Sequence, residues 1–197
     1  MLKTKITGFT SYKGVMLQQH DDYQTPFSKL LLKIKPSRIL EIGTGAGGFT
    51  LFLRDKLNEI GLNETIIRSY DINDTQFDIV NLELHKEILY DVTGNLNRFN
   101  IVEPFLKSDG VSLVLCDGGN KSFEFNQLSV LLKTGDIIMA HDYVDTYENF
   151  KNIFYDKIWN WCEINENDIK NVCENENLID FMKEDFNKIV WVCKIKI

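Results

Sequence analysis

The run Glu41-Ile42-Gly43-Thr44-Gly45-Ala46-Gly47-Gly48 places four glycines within six residues. Glycines in such a run let the chain turn tightly and let a ligand approach the backbone, and a helix opening there offers free N–H groups to an anion. Asp71 follows 28 residues after Gly43. A carboxylate at that distance, at the end of the next strand, can accept both ribose hydroxyls of an adenosine-type ligand. Further along, Asp91, Asp117 and the pair His141-Asp142 each follow a short apolar run. Asp117, His141 and Asp142 are the types that hold a six-coordinate, mostly oxygen-ligated divalent ion, with water completing the shell. Such an ion lowers the pKa of a substrate hydroxyl. The plainer reading of the two carboxylates is a like-charge pair relieved by Lys121 or by protonation, with His141 as a hydrogen-bonded neighbour.

These residues need a scaffold that brings them to one edge. Short apolar runs alternate with amphipathic stretches, the pattern of an α/β fold with a largely parallel sheet. Strands are expected at Arg38–Ile42, Thr65–Tyr70, weakly at Glu87–Tyr90, and at Val111–Cys116, Asp136–Ala140, Trp161–Ile164 and Ile189–Ile195. Helices are expected at Ala46–Ile60, where Phe49, Phe52, Leu53, Leu57 and Ile60 share a face, and at Ser122–Lys133, Tyr147–Trp159 and Asn167–Met182. Gly94–Lys107 reads as a broken helix. In open α/β sheets ligands bind outside the carboxyl ends of the strands. Four consecutive strand candidates there end in Asp71, Asp91, Asp117 and His141-Asp142, and those before Asp117 and Asp142 should be sheet neighbours. His85 reads as a solvated surface residue, His20 as a loop residue polar enough to reach a site, and Trp159, Trp161 and Trp191 as packing.

The 197 residues carry 22 basic and 29 acidic side chains, a net charge of −7 and 44% hydrophobic residues. That suits one domain, residues 1–197, with residues 1–30 as an N-terminal arm or lid, and it excludes a disordered chain. The acidic balance argues against nucleic acid as a partner, because phosphate binding needs a surplus of Lys and Arg. No eighteen-residue apolar run predicts a membrane span, and Met1–Lys5 lacks the apolar stretch of a signal peptide. Cys116, Cys162, Cys173 and Cys193 show no paired metal-site spacing, so a reducing cytoplasm is the expected setting. The expected partner is a small molecule; a homo-oligomer is left open.

Gly43-x-Gly45-x-x-Gly48 also satisfies the dinucleotide fingerprint, so a nicotinamide oxidoreductase is one reading. Three features favour S-adenosylmethionine. Glu41 lies two residues before the first glycine, where class I methyltransferases place an acid near the ligand. About 37 residues precede the first of these strands, whereas nicotinamide folds often begin with it, and 197 residues leave little room for a second catalytic domain.

The runs RILEIGTGAGGFTLFL, YDIND, LVLCDGGN and LLKTGDIIMAHDY resemble the class I S-adenosylmethionine-dependent methyltransferases. They look most like the branch of cephalosporin-hydroxylase-like and macrolide-sugar O-methyltransferases, which is related to the catechol O-methyltransferases. The upstream GVMLQQHDDYQTPFSKLLLKIKPSRILEIG adds to the likeness, which covers Gly14–Tyr143 well and the C-terminal third only through its helix–strand pattern. The resemblance implies a Rossmann-like fold, with a mostly parallel seven-stranded sheet, helices on both faces and the last strand antiparallel. It implies that Glu41, Gly43 and Gly45, with Thr44 and Gly47 of the same turn, bind the methionine end of S-adenosylmethionine. Asp71 would hold the ribose, and Asp91 and Val92 would lie near the adenine. Asp117, beside the cofactor, would be a metal ligand together with His141 and Asp142, for Mg or Mn. His141 stands where relatives often have an acid.

Relatives commonly carry His or Lys three residues after the strand-end Asp, as the base for the acceptor hydroxyl; here that position is Asn120, and Asn takes no proton at neutral pH. Lys121 or His141 would substitute, giving a catalytic set of Asp117, Lys121 and His141. The expectation is a metal-assisted O-methyltransferase of a small hydroxylated, sugar-type molecule. The alternative is a homologue that binds the cofactor without transfer and acts as a partner or regulator.

Overall fold

A computed structural model describes residues 10–86, 99–155 and 162–197. The chain begins with an antiparallel hairpin, β1 (Thr10–Tyr12) and β2 (Val15–Leu17). Helix α1 (Gln24–Ile34) leads to β3 (Arg38–Ile42), the glycine turn and α2 (Gly48–Glu59). Then come β4 (Ile66–Asp71), β5 (Leu82–Lys86), α3 (Phe99–Lys107), β6 (Ser112–Cys116), α4 (Lys121–Ser129) and β7 (Ile137–Ala140). A three-residue helix α5 (Tyr147–Asn149) passes into a π-helical turn, Phe150–Phe154. The chain closes with α6 (Glu166–Asn175), β8 (Leu178–Asp180), α7 (Lys183–Asn187) and β9 (Val192–Lys196).

Seven strands form one sheet in the order β5-β4-β3-β6-β7-β9-β8. All pairs from β5 to β7 are parallel, and β9 runs antiparallel to both β7 and β8. The three central strands are buried along their whole length, as a parallel sheet covered on both faces requires. Alternation splits their side chains between two cores. Leu40, Ile42, Val114, Cys116, Ile138 and Ala140 pack into one core, with Val102 of α3, Phe125 of α4 and Ile169 of α6. Ile39, Leu113, Leu115, Ile137 and Met139 pack into the other, with Phe27 and Leu30 of α1, Phe52 of α2 and Trp191.

Several boundaries differ from the sequence expectation. The strand beside β4 is Leu82–Lys86, where His85 stacks on Tyr70 with ring centroids 4.7 Å apart; the expected Glu87–Tyr90 strand lies outside the described residues, as do Trp159 and Trp161. Helix α4 stops at Ser129, before Thr134-Gly135. Of the expected Trp161–Ile164 strand, the described residues Cys162–Ile164 contribute one bridge, Ile164 to Tyr143. The Asn167–Met182 helix is instead α6 followed by β8, because α6 ends after Asn175 and Leu178 pairs with Lys196. No described helix is long and apolar enough to cross a membrane.

Candidate active site

The register of the parallel strands builds the site. Ile42 lies level with Tyr70 on one side and Cys116 on the other, and Cys116 is level with Ala140. The next residue of each strand therefore emerges in one row along the carboxyl edge: Asp71, Gly43, Asp117 and His141. Backbone bonds tie that row together, Gly43 N donating to Tyr70 O, Asp117 N to Ile42 O and His141 N to Cys116 O.

On the glycine side the geometry is set by backbone. Gly43 has φ +95°, and a Cβ there would lie 2.1 Å from the Asp117 carbonyl oxygen. No larger residue fits without moving β6. Gly45 has φ +56° and open space where its Cβ would point. Gly47 is the N-cap of α2, with the Phe77 ring against it, and Thr75 Oγ1 donates to Gly45 O at 2.7 Å. Asp71 sits in the expected position. Its Oδ2 accepts from Gly45 N at 2.7 Å, and its Oδ1 accepts from Asn73 N and Nδ2.

Glu41 lies one strand residue inside the turn, on the face shared by α2, level with Ser69 of β4. Its Oε2 accepts from Thr50 Oγ1 at 2.7 Å and Ser69 Oγ at 2.5 Å. Thr44 Oγ1 lies 2.6 Å from Ser69 Oγ, which already donates to Glu41, so Thr44 is the donor of that pair. Burial pushes the Glu41 carboxyl up to about 7, against the opposing hydrogen bonds from Ser69 and Thr50. Its Oε1 is buried and accepts no hydrogen bond from a described residue.

The other side is built from side chains. Ligand atoms of Asp117, His141 and Asp142 all lie within 4.8 Å of one another. His141 Nδ1 is 3.0 Å from Asp117 Oδ1 and 3.7 Å from Asp142 Oδ1. Burial would lower the His141 pKa, but the charges of Asp117 and Asp142 outweigh it and the pKa is raised. Asp142 has φ +58°, the left-handed region, a strain held by its surroundings. Burial raises its carboxyl, against the pull of His141 and Lys121. Asp142 Oδ1 is buried and accepts no hydrogen bond from a described residue. Two carboxylates, one of them with that unused oxygen, and an imidazole are a donor set that fits a divalent cation.

Lys121, the first residue of α4, is 6% exposed. Its ammonium lies 2.9 Å from Asp142 Oδ2, 3.8 Å from Asp117 Oδ1 and 2.5 Å from Glu163 Oε2, and donates to Gly118 O at 3.1 Å. Burial would lower its pKa, yet Asp117, Asp142 and Glu163 together leave it raised. Asn120, at the position where a base was expected, is the N-cap of α4, its side chain accepting from Phe123 N at 3.1 Å. Glu124 reaches back one turn to accept from Gly118 N and Asn120 N, holding the Asp117–Asn120 loop. Its carboxyl is pushed by burial up to about 7.

The sequence pointed to Asp117, Lys121, His141 and Asp142, and the fold brings all four together. Asp91 and Val92 lie outside the described residues. Three further residues belong to the cluster. Gln19, 2% exposed, donates from Nε2 to Asp117 Oδ2 at 2.8 Å and accepts the Trp191 indole N–H at 2.8 Å. Trp191 stacks on His141 with ring centroids 4.9 Å apart, because antiparallel β9 starts level with Ala140. Glu163 joins through Lys121. The one sequence signal for these was the polar run Gln18-Gln19-His20-Asp21-Asp22; His20 is itself buried, its pKa lowered first by that burial, while Asp22 and Asp21 oppose and His141 adds to it.

No family model and no curated protein sequence matches this chain. Solved structures do. The apo structure of CmcI superposes with a TM-score of 0.69 at 15% identity, over 95% of this chain and 76% of that one. CmcI with Mg and SAM gives 0.65 at 17% identity, over 94% and 76%. MycE methyltransferase from the mycinamycin biosynthetic pathway, in complex with Mg, SAH and mycinamycin VI, gives 0.54 at 12% identity, over 87% of this chain and 48% of that one. With the strand order and the antiparallel last strand, this likeness shows that the chain has the Rossmann-like fold of CmcI and of the MycE methyltransferase.

Proposed function

We propose that this protein is an S-adenosylmethionine-dependent O-methyltransferase, assisted by Mg or Mn, acting on a small hydroxylated, sugar-type molecule in a reducing cytoplasm. The observation that carries the reading is the edge row itself, with a nucleotide-type turn at Gly43–Gly47 directly beside the Asp117/His141/Asp142 cluster on the next two strands. Gly45, open where a side chain would stand, and the unused Oε1 of Glu41 suit the methionine end of the cofactor, and Asp71 suits its ribose. Asp117, His141 and Asp142 would hold the ion. The complex of MycE with Mg, SAH and mycinamycin VI supports the ion and a small-molecule substrate. The four free thiols agree with the compartment.

The sulfonium makes the methyl group electrophilic, so the protein's task is to align an oxygen with it. The ion, when bound, supplies a positive charge that lowers the pKa of the acceptor hydroxyl. His141 is 2% exposed behind Trp191, which suits a ligand and not a base reaching an acceptor. Lys121 is the amine nearest the cluster among the described residues. Its three acids keep it an ammonium, so it would favour the deprotonated acceptor oxygen by its charge, the hydroxyl proton passing to solvent.

Calorimetric titration with S-adenosylhomocysteine and a methyl-transfer assay over a panel of hydroxylated acceptors test the reading. Binding is expected, with transfer that falls at least about a hundredfold in Asp117→Asn. No binding at millimolar ligand, together with binding of NADH, overturns it. A second reading, cofactor binding without transfer, is favoured by Asn120 serving as a helix cap. Asp117-dependent transfer to any acceptor removes it.

A further inference from the structure

Lys121 is an unusual residue at its position. A cation in the first turn of a helix faces the positive end of the helix dipole, and a buried ammonium is costly unless paired. Three separate segments nevertheless converge on it: Asp117 and Gly118 after β6, Asp142 after β7, and Glu163 ahead of α6. Asp142 and Asp117 are also two of the three residues whose ligand atoms gather within 4.8 Å. The ammonium and a divalent cation therefore draw on the same carboxylates. Glu163 is different, since it contacts the ammonium at 2.5 Å, is not in the three-residue group and has a side chain 33% exposed.

We infer that Lys121 is the protein's own cation at this cluster, that a divalent ion and the Lys121–Asp142 pair exclude one another, and that Glu163 holds the ammonium when Asp142 is taken. This rests on the divalent-ion part of the function proposed above and adds a regulator of ion affinity within the chain. Like charges a few ångströms apart in a partly buried site repel by more than a tenfold change in affinity. The ion thus binds more weakly than its donor set would allow, and it binds by moving a side chain rather than by entering a preformed cage.

The test is titration of Mn2+ followed by electron paramagnetic resonance, with thermal melting with and without the ion, on wild type, Lys121→Gln, Glu163→Gln and the double variant. Lys121→Gln is expected to tighten Mn2+ by about tenfold or more and to enlarge the stabilisation the ion confers. Glu163→Gln is expected to weaken it about threefold in the wild-type background and to do nothing further beside Lys121→Gln, the coupling a double-mutant cycle isolates. Unchanged or weaker Mn2+ binding in Lys121→Gln overturns the proposal. An equal Glu163→Gln effect in both backgrounds overturns the part assigned to Glu163. Should Lys121→Gln fold only with Mn2+, that rescue supports the proposal, and Glu163→Gln alone still decides it, no weakening being fatal. Absence of Mn2+ binding in every variant overturns the inference and the ion assignment together. S-adenosylhomocysteine binding, measured separately, then decides whether the transferase reading stands.

Discussion

The two halves of the carboxyl edge are made differently. On the β3–β4 side the parts are mostly backbone: positive-φ glycines, N–H groups, and a short hydroxyl chain from Thr44 through Ser69 to Glu41. Most contacts there run between neighbouring elements of one βαβ unit. On the β6–β7 side the parts are side chains from distant segments. Asp117, Lys121, His141, Asp142 and Glu163 meet Gln19 from between β2 and α1 and Trp191 from the approach to β9. The first half tolerates little change in shape and the second little change in charge. Gly43 links them, because its missing side chain lets the Asp117 backbone close on the turn.

Breaking that link should cost most. Gly43→Ala puts a Cβ 2.1 Å from Asp117 O at a φ of +95°, and urea denaturation should show a loss of about 4 kcal/mol. Gly45→Ala, with open space and φ +56°, should cost about 1–2 kcal/mol while weakening S-adenosylhomocysteine binding. Equal losses would erase the distinction between a packing glycine and a ligand-facing one.

The next effect separates shape from charge through pH. The folded protein holds the Glu41 proton more tightly than the unfolded chain, with a pKa near 7 against an ordinary 4.5. The folded state therefore binds more protons across that interval, and stability falls as pH rises from about 4.5 through about 7, then levels off. Glu41 contributes on the order of 3 kcal/mol of that fall, and Glu124, raised by burial over the same window, adds to it. Denaturation midpoints between pH 5 and 8 should show a shallower slope in Glu41→Gln; an unchanged slope would mean that Glu41 is ionised in the fold.

The smallest effect sharpens the account of the β6–β7 side. Asn120→Ala should cost about 1 kcal/mol as a lost N-cap, and Asn120→Asp should cost almost nothing. Methyl transfer is expected to survive Asn120→Asp. Its loss there would assign Asn120 a role at the acceptor that capping does not explain.

The glycine half was legible in the residues because backbone demands are written locally. A φ of +95° or a carbonyl at 2.1 Å admits only glycine, so the turn appears as a run of glycines wherever the rest of the chain goes. The central strands were legible for a similar reason, since burial on both faces leaves an unbroken apolar run. The C-terminal elements were not. A ten-residue α6 and a three-residue β8 read as one polar amphipathic stretch, and only pairing of Leu178 with Lys196 separates them.

By itself, then, the sequence determined the α/β alternation, the tight turn and the strand-end acids Asp71, Asp117 and Asp142, because steric limits and periodicity act between residues close along the chain. Tertiary structure alone decided that Asn120 caps a helix and that Lys121 neutralises Asp142. It also decided that Gln19 and Trp191 fix Asp117 and His141. Charges and hydrogen-bond partners brought together across 98 or 172 residues leave no local pattern; their meeting depends on strand register and on the order in which the strands stack.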